Sequence, residues 1–183
     1  MDTNTFSFNL VDNLSPKEVI EKFLPQIDLA TKGYVSGHIK EYNGEIKSYV
    51  RQNWMSILQN HQGEEVNIQE DLGEQNSVDN RYEIYLSVKG LDKYKYRLML
   101  IDYGDIAYPV TVVLVNDLAQ IYSDKYRDTF KLDSMKQVED LMKKIMSSNV
   151  IINLIQSLIN EARRREQNPA LQPSNEPNDD HND

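Results

Sequence analysis

Apolar residues recur at Val19, Ile20, Phe23, Leu24 and Ile27, the three-to-four spacing of one helix face. Ser15, followed by Pro16 and Glu18, supplies a capping box with proline in the first turn, so a helix is expected to start there. Pro25 lacks a backbone donor and is expected to kink that helix or end it near Leu24. Upstream, Phe6, Phe8 and Leu10 alternate as a short edge strand would. Residues 33–60 admit two readings. Tyr34 to Tyr42 suits a strand, and Asn43-Gly44 is a strong hairpin turn. Against a hairpin, Ile46, Tyr49, Val50, Trp54, Ile57 and Leu58 keep helical spacing, so a helix over 45–60 entered by that turn is preferred.

Beyond residue 80 the period changes to two. Tyr82, Ile84, Leu86 and Val88 share one face of a strand over 81–89. A turn at 90–93 leads into a strand over 94–103, and a third strand covers 108–115. Links this short predict antiparallel neighbours. Leu98 to Ile101 and Val110 to Val115 are apolar on both faces, which predicts a sheet centre covered twice, by helices or by another subunit. Residues 117–132 are mixed, with Tyr122, Tyr126 and Phe130 at four-residue spacing. Asp133-Ser134 caps a helix whose apolar face is Met135, Val138, Leu141, Met142, Ile145 and Met146. Ser147-Ser148-Asn149 interrupts it and can cap a second helix carrying Ile151, Leu154, Ile155, Leu158 and Ile159 and ending in Arg163-Arg164-Arg165. Residues 167–183 hold three prolines and almost nothing apolar, the composition of a disordered acidic tail. The blocks predict an α+β fold: an antiparallel β-meander of three to four strands packed by N-terminal and C-terminal helices, in a single domain over 1–166.

Composition narrows the function. The 183-residue chain has no cysteine, which excludes disulfides, thiolate metal sites and a cysteine nucleophile. The N-terminus is acidic and polar rather than basic and then apolar, and no apolar run reaches bilayer length. A cytoplasmic protein with no membrane partner is expected. The net charge of −9 disfavours a nucleic-acid ligand. That charge is concentrated. Segment 62–79 carries Glu64, Glu65, Glu70, Asp71, Glu74 and Asp79 with no base, and reads as a mobile acidic loop. The tail adds Glu176, Asp179, Asp180 and Asp183. The remaining body is near neutral, which weakens a reading as a rigid nucleic-acid mimic.

Candidate chemistry is sparse. No glycine-rich phosphate loop, zinc-binding helix motif or nucleophile elbow is present, so no cofactor or metal is expected. His38 beside Glu41 could form a base with its orienting carboxylate. Asp102-Tyr103-Gly104-Asp105 offers two carboxylates for a hard cation, but Asp and Gly are also what a strand-connecting turn requires, and that reading is preferred. Tyr94 and Tyr96 interleave with Lys93, Lys95 and Arg97, an aromatic and basic pattern suited to an interface. Val150 and Ile152 widen the apolar stripe of the last helix, so Ile151, Leu154, Ile155 and Leu158 serve either the core or a subunit contact. The arginines at its end complement the helix dipole. The leading expectation is a non-enzymatic protein-interaction domain, with self-association into a homo-oligomer open. The alternatives are an enzyme whose site assembles from His38, Glu41, Asp102 and Asp105, and an acidic inhibitor or immunity or antitoxin-like partner of a basic protein.

Overall fold

The computed structural model describes residues 11–44, 46, 80–123 and 127–168. In chain order the elements are α1 (Pro16–Glu21), α2 (Leu24–Thr31), β1 (Val35–Glu41), β2 (Asn80–Val88), β3 (Lys95–Tyr103), β4 (Val110–Leu114), α3 (Asn116–Tyr122), β5 (Thr129–Leu132), α4 (Met135–Met146) and α5 (Asn149–Gln167). The expected edge strand at Phe6–Leu10, the helix over 45–60 and the acidic loop 62–79 lie outside the described residues. So does the tail beyond Asn168, while Gln167 closes α5.

The caps anticipated from sequence are present. Ser15 accepts from the Glu18 amide while the Glu18 carboxylate accepts from the Ser15 N–H. Ser134 and Ser148 cap α4 and α5 through the amides of Gln137 and Ile151. Pro25 acts differently from a kink within one helix. The first helix stops at Glu21, and Pro25 sits in the first turn of a separate helix, where its missing N–H costs nothing. Lys32 and Gly33, both at positive φ (54° and 79°), then reverse the chain into β1.

The sheet has five strands in the order β1-β2-β3-β4-β5, each antiparallel to its neighbours. This exceeds the expected three or four, because Tyr34–Tyr42 does form a strand and the mixed segment 117–132 divides into α3 and β5. The registers sort side chains onto two faces. On one face stand Val35, Ile39, Tyr82, Ile84, Leu86, Val88, Met99, Ile101, Tyr103, Val110, Val112, Leu114, Phe130 and Leu132. All of them belong to one core with Val19 and Ile20 of α1, Leu24 and Ile27 of α2, Leu118 of α3, Leu141 and Met142 of α4, and Ile151 and Leu158 of α5. Among the described residues, every helix packs on this face. Gly37 lets α2 lie close to β1, since a Cβ there would come within 2.9 Å of Leu24 Cδ2 and 3.1 Å of Ile27 Cδ1.

A β-bulge explains the apolar run in β3. The register shifts between Ile84 and Tyr85, which pair with Met99 and Arg97 and leave Leu98 as the extra residue. Leu98 and Met99 therefore both join the helix-side core, and Leu100 turns to the second face. There Leu100 and Val113 are 2% and 1% exposed, so the predicted double burial is achieved within one chain and requires no second subunit.

Candidate functional site

The second face of the sheet carries the polar chemistry. From β1 it presents Ser36, His38 and Lys40, from β2 Arg81, Glu83, Tyr85 and Ser87, and from β3 Lys95, Arg97, Leu100 and Asp102. Two zones differ in burial. Toward β4 the face is closed, with Asp102 at 1% exposure and Thr111 buried beside Leu100 and Val113. Toward β1 it is half-exposed, and Lys40 and Lys95 are exposed.

In the half-exposed zone the side chains hold one another across strands. His38 Nε2 lies 2.7 Å from Ser87 Oγ, and the His38 ring stacks on Tyr85 with centroids 5.1 Å apart. Lys95 Nζ stands 4.9 Å from the Tyr85 ring centroid. Arg97 Nε donates to Glu83 Oε1 at 2.6 Å, and its guanidinium lies 5.5 Å from the Tyr42 ring centroid. Each such contact contributes only ~0.5–1 kcal/mol. Their joint effect is to fix the rotamers of a histidine, a tyrosine, a lysine and an arginine on a rigid sheet, which lowers the ordering entropy lost when a partner binds.

The residues singled out from sequence fall in separate places. His38 and Glu41 differ by an odd number along one strand and so point to opposite faces of the sheet. Asp102 shares the face of His38, but β2 intervenes and the ladder offset is four residues, a separation on the order of 15 Å. Asp102 instead lies 3.3 Å from Arg81 Nε as a buried carboxylate beside a cation. Asp105 is exposed in the bend after β3, so the string Asp102–Asp105 is half strand and half connection. Among the described residues no group of three His, Asp or Glu side chains could hold a metal ion. Tyr94 is exposed ahead of β3, Tyr96 packs against the helix-side core and Arg97 lies on the second face, so the three do not form one patch. On α5, Ile151 and Leu158 are buried in the chain's own core, with Leu154 and Ile155 half-buried against it. The ladder of His38, Tyr85, Ser87, Lys95 and Glu83 was not legible as a unit, because it needs the strand register and a bulge.

Two further clusters are structural. Tyr103 stacks near Tyr82 (6.2 Å) beside α1, and the Tyr108 hydroxyl donates to the Leu14 carbonyl at 2.9 Å. Burial pushes both hydroxyls up to about 12. The end of α5 is clamped to β1 and β2. Tyr34 donates to Glu166 (3.0 Å), Lys89 pairs with Glu166 (3.1 Å), and Lys89 and Arg163 both stand over the Tyr34 ring. Hydrogen bonds from Arg164 and Arg165 hold the Glu161 carboxyl down at about 2. The terminal arginines thus serve the helix end. Comparison of the chain with family models, curated proteins and solved structures finds no match.

Proposed function

We propose that the chain is a non-enzymatic protein-interaction domain that meets a partner through the half-exposed strip of its second sheet face, centred on Tyr85 with His38, Lys95 and Arg97. One observation carries this reading: an aromatic ring and two cations are pre-ordered by cross-strand contacts at positions that remain accessible. Tyrosine and arginine are the side chains enriched at interface hot spots, and pre-ordering reduces the entropy lost on binding. Lys40 and Lys95 bias the strip toward a partner surface of opposite charge. The placement of α5 supports moving the contact here, since its apolar residues already serve the core. The four scattered candidates His38, Glu41, Asp102 and Asp105 gain no support as a catalytic set from their positions. A cytoplasmic setting accords with the absence of cysteine and with the finding that no helix among the described residues is long and apolar enough to cross a membrane.

The test is affinity capture with crosslinking, comparing the native chain with a Tyr85→Ala/Lys95→Glu variant whose circular dichroism is unchanged. The native chain is expected to retain a defined protein and the variant to lose it at least tenfold, about 1.4 kcal/mol. Equal retention by both, or no retained protein, would sink the reading.

A further inference from the structure

Strand β1 forms one border of the sheet, and its hydrogen bonds fix which way each backbone group points. Lys89 N–H donates to the Tyr34 carbonyl at 3.0 Å, and Tyr42 N–H donates to the Arg81 carbonyl at 2.9 Å. Even-numbered residues of the strand therefore bond to β2, and odd-numbered residues turn their N–H and C=O off the edge. Val35 bears this out. Its N–H donates to Thr31 Oγ1 at 3.1 Å, and its carbonyl accepts from the same hydroxyl at 2.8 Å. The end of α2 thus closes the first outward position. Gly37, Ile39 and Glu41 hold the next three, and among the described residues no group bonds to their outward N–H and C=O. Lys40 and Glu41 are exposed, and Gly37, His38 and Ile39 are half-exposed. The strand has no proline and its pairing with β2 has no bulge, two common devices that keep an edge from templating another strand.

We propose that β1 pairs antiparallel with β1 of a second copy of this chain, about a twofold axis passing beside Ile39. The open groups at 37, 39 and 41 are symmetric about Ile39, so this register joins Ile39 to Ile39 and Gly37 to Glu41 of the second copy. About six N–H···O bonds form, using every open group of the edge. Side-chain chemistry selects the same register. On the helix side the two Ile39 side chains meet, while Glu41 of the second copy stands opposite Gly37, whose helix side is already covered by Leu24 and Ile27. On the second face His38 meets Lys40 of the second copy, with no like-charged pair directly opposed. A shift that centres the axis on Lys40 sets lysine against lysine, and one centred on Glu41 sets carboxylate against carboxylate, both unfavourable. A shift toward Val35 uses groups already bonded to Thr31. An odd shift points outward groups at inward ones and forms no ladder. A twofold contact closes on itself, so association stops at a dimer with one continuous sheet. The contact does not depend on the partner strip around Tyr85.

The experiment is sedimentation of the full chain from about 1 µM to about 1 mM, a span from tight to marginal affinity, combined with amide hydrogen exchange. A dimer is expected in which the Gly37, Ile39 and Glu41 amides exchange at least tenfold more slowly than in the diluted monomer. Glu41→Pro removes an outward N–H and no bond to β2, so it should fold normally and dimerise at least tenfold more weakly. A monomer across the whole range overturns the proposal. So does a dimer whose three amides exchange as in the monomer, or a folded Glu41→Pro that dimerises like the native chain. If that variant fails to fold, amide exchange in the native chain decides alone. Loss of the captured partner in Tyr85→Ala/Lys95→Glu leaves this outcome untouched, so the two readings fail separately.

Discussion

Tyr103 and Tyr108 show how burial, as the largest cause, retunes a side chain. Removing their rings from water disfavours the phenolate and pushes both hydroxyls up to about 12, with nearby acids adding to the effect at Tyr108. A folded-state pKa above the ordinary 10 contributes stability that is fully present below about pH 10 and is lost as pH rises toward about 12. An absorbance titration of the eleven tyrosines should therefore show a late ionisation near 12, accompanied by loss of structure. A single step near 10 for all of them would contradict this packing. The aromatic and aliphatic rows were readable as buried strand positions from their alternation alone. Asp102 was not readable in the same way. Its charge is balanced by Arg81, and that neighbour becomes visible only when β2 and β3 are set in register.

Helix caps were the most legible elements, because a short polar side chain before an apolar stripe has few other uses. Ser148 is the strongest case. Its hydroxyl donates to the Ile145 carbonyl at 2.7 Å and accepts from the Ile151 amide at 3.3 Å, so one side chain ends α4 and begins α5. Ser148→Ala should cost about 1–2 kcal/mol, seen as a lower urea midpoint with an unchanged slope. A loss within about 0.5 kcal/mol, the range of an ordinary surface change, would mean that solvent caps α5 equally well. Strand β5 and helix α3 stayed hidden in the mixed segment because four and seven residues are too few to establish a period. The bulge hid for another reason. A run such as Leu98 to Ile101 reads as burial on both faces, whereas the extra residue sends Leu98, Met99 and Ile101 all to the helix side.

At the scale of the molecule, one core joins all five strands to the helical layer among the described residues. Loss of either layer would expose the other, so unfolding should be cooperative. Urea transitions followed by far-ultraviolet circular dichroism and by tyrosine fluorescence are expected to coincide. Separated midpoints would show that sheet and helices come apart independently. The layered α+β arrangement was legible because strands and helices occur in blocks. The polar strip was not, because its members come from three strands and no sequence window contains them together.

Strand order in the sheet equals strand order in the chain, and this sets an assembly sequence. Residues 89–94 and 104–109 close the β2–β3 and β3–β4 hairpins, whereas residues 42–79 separate β1 from β2. Closure entropy rises with the number of residues between paired strands, so pairing β1 with β2 is the less local step. The central hairpins can form as soon as they emerge from synthesis, and β1 must wait for a ready border to dock on. Docking of β1 is thus expected to follow formation of the central hairpins.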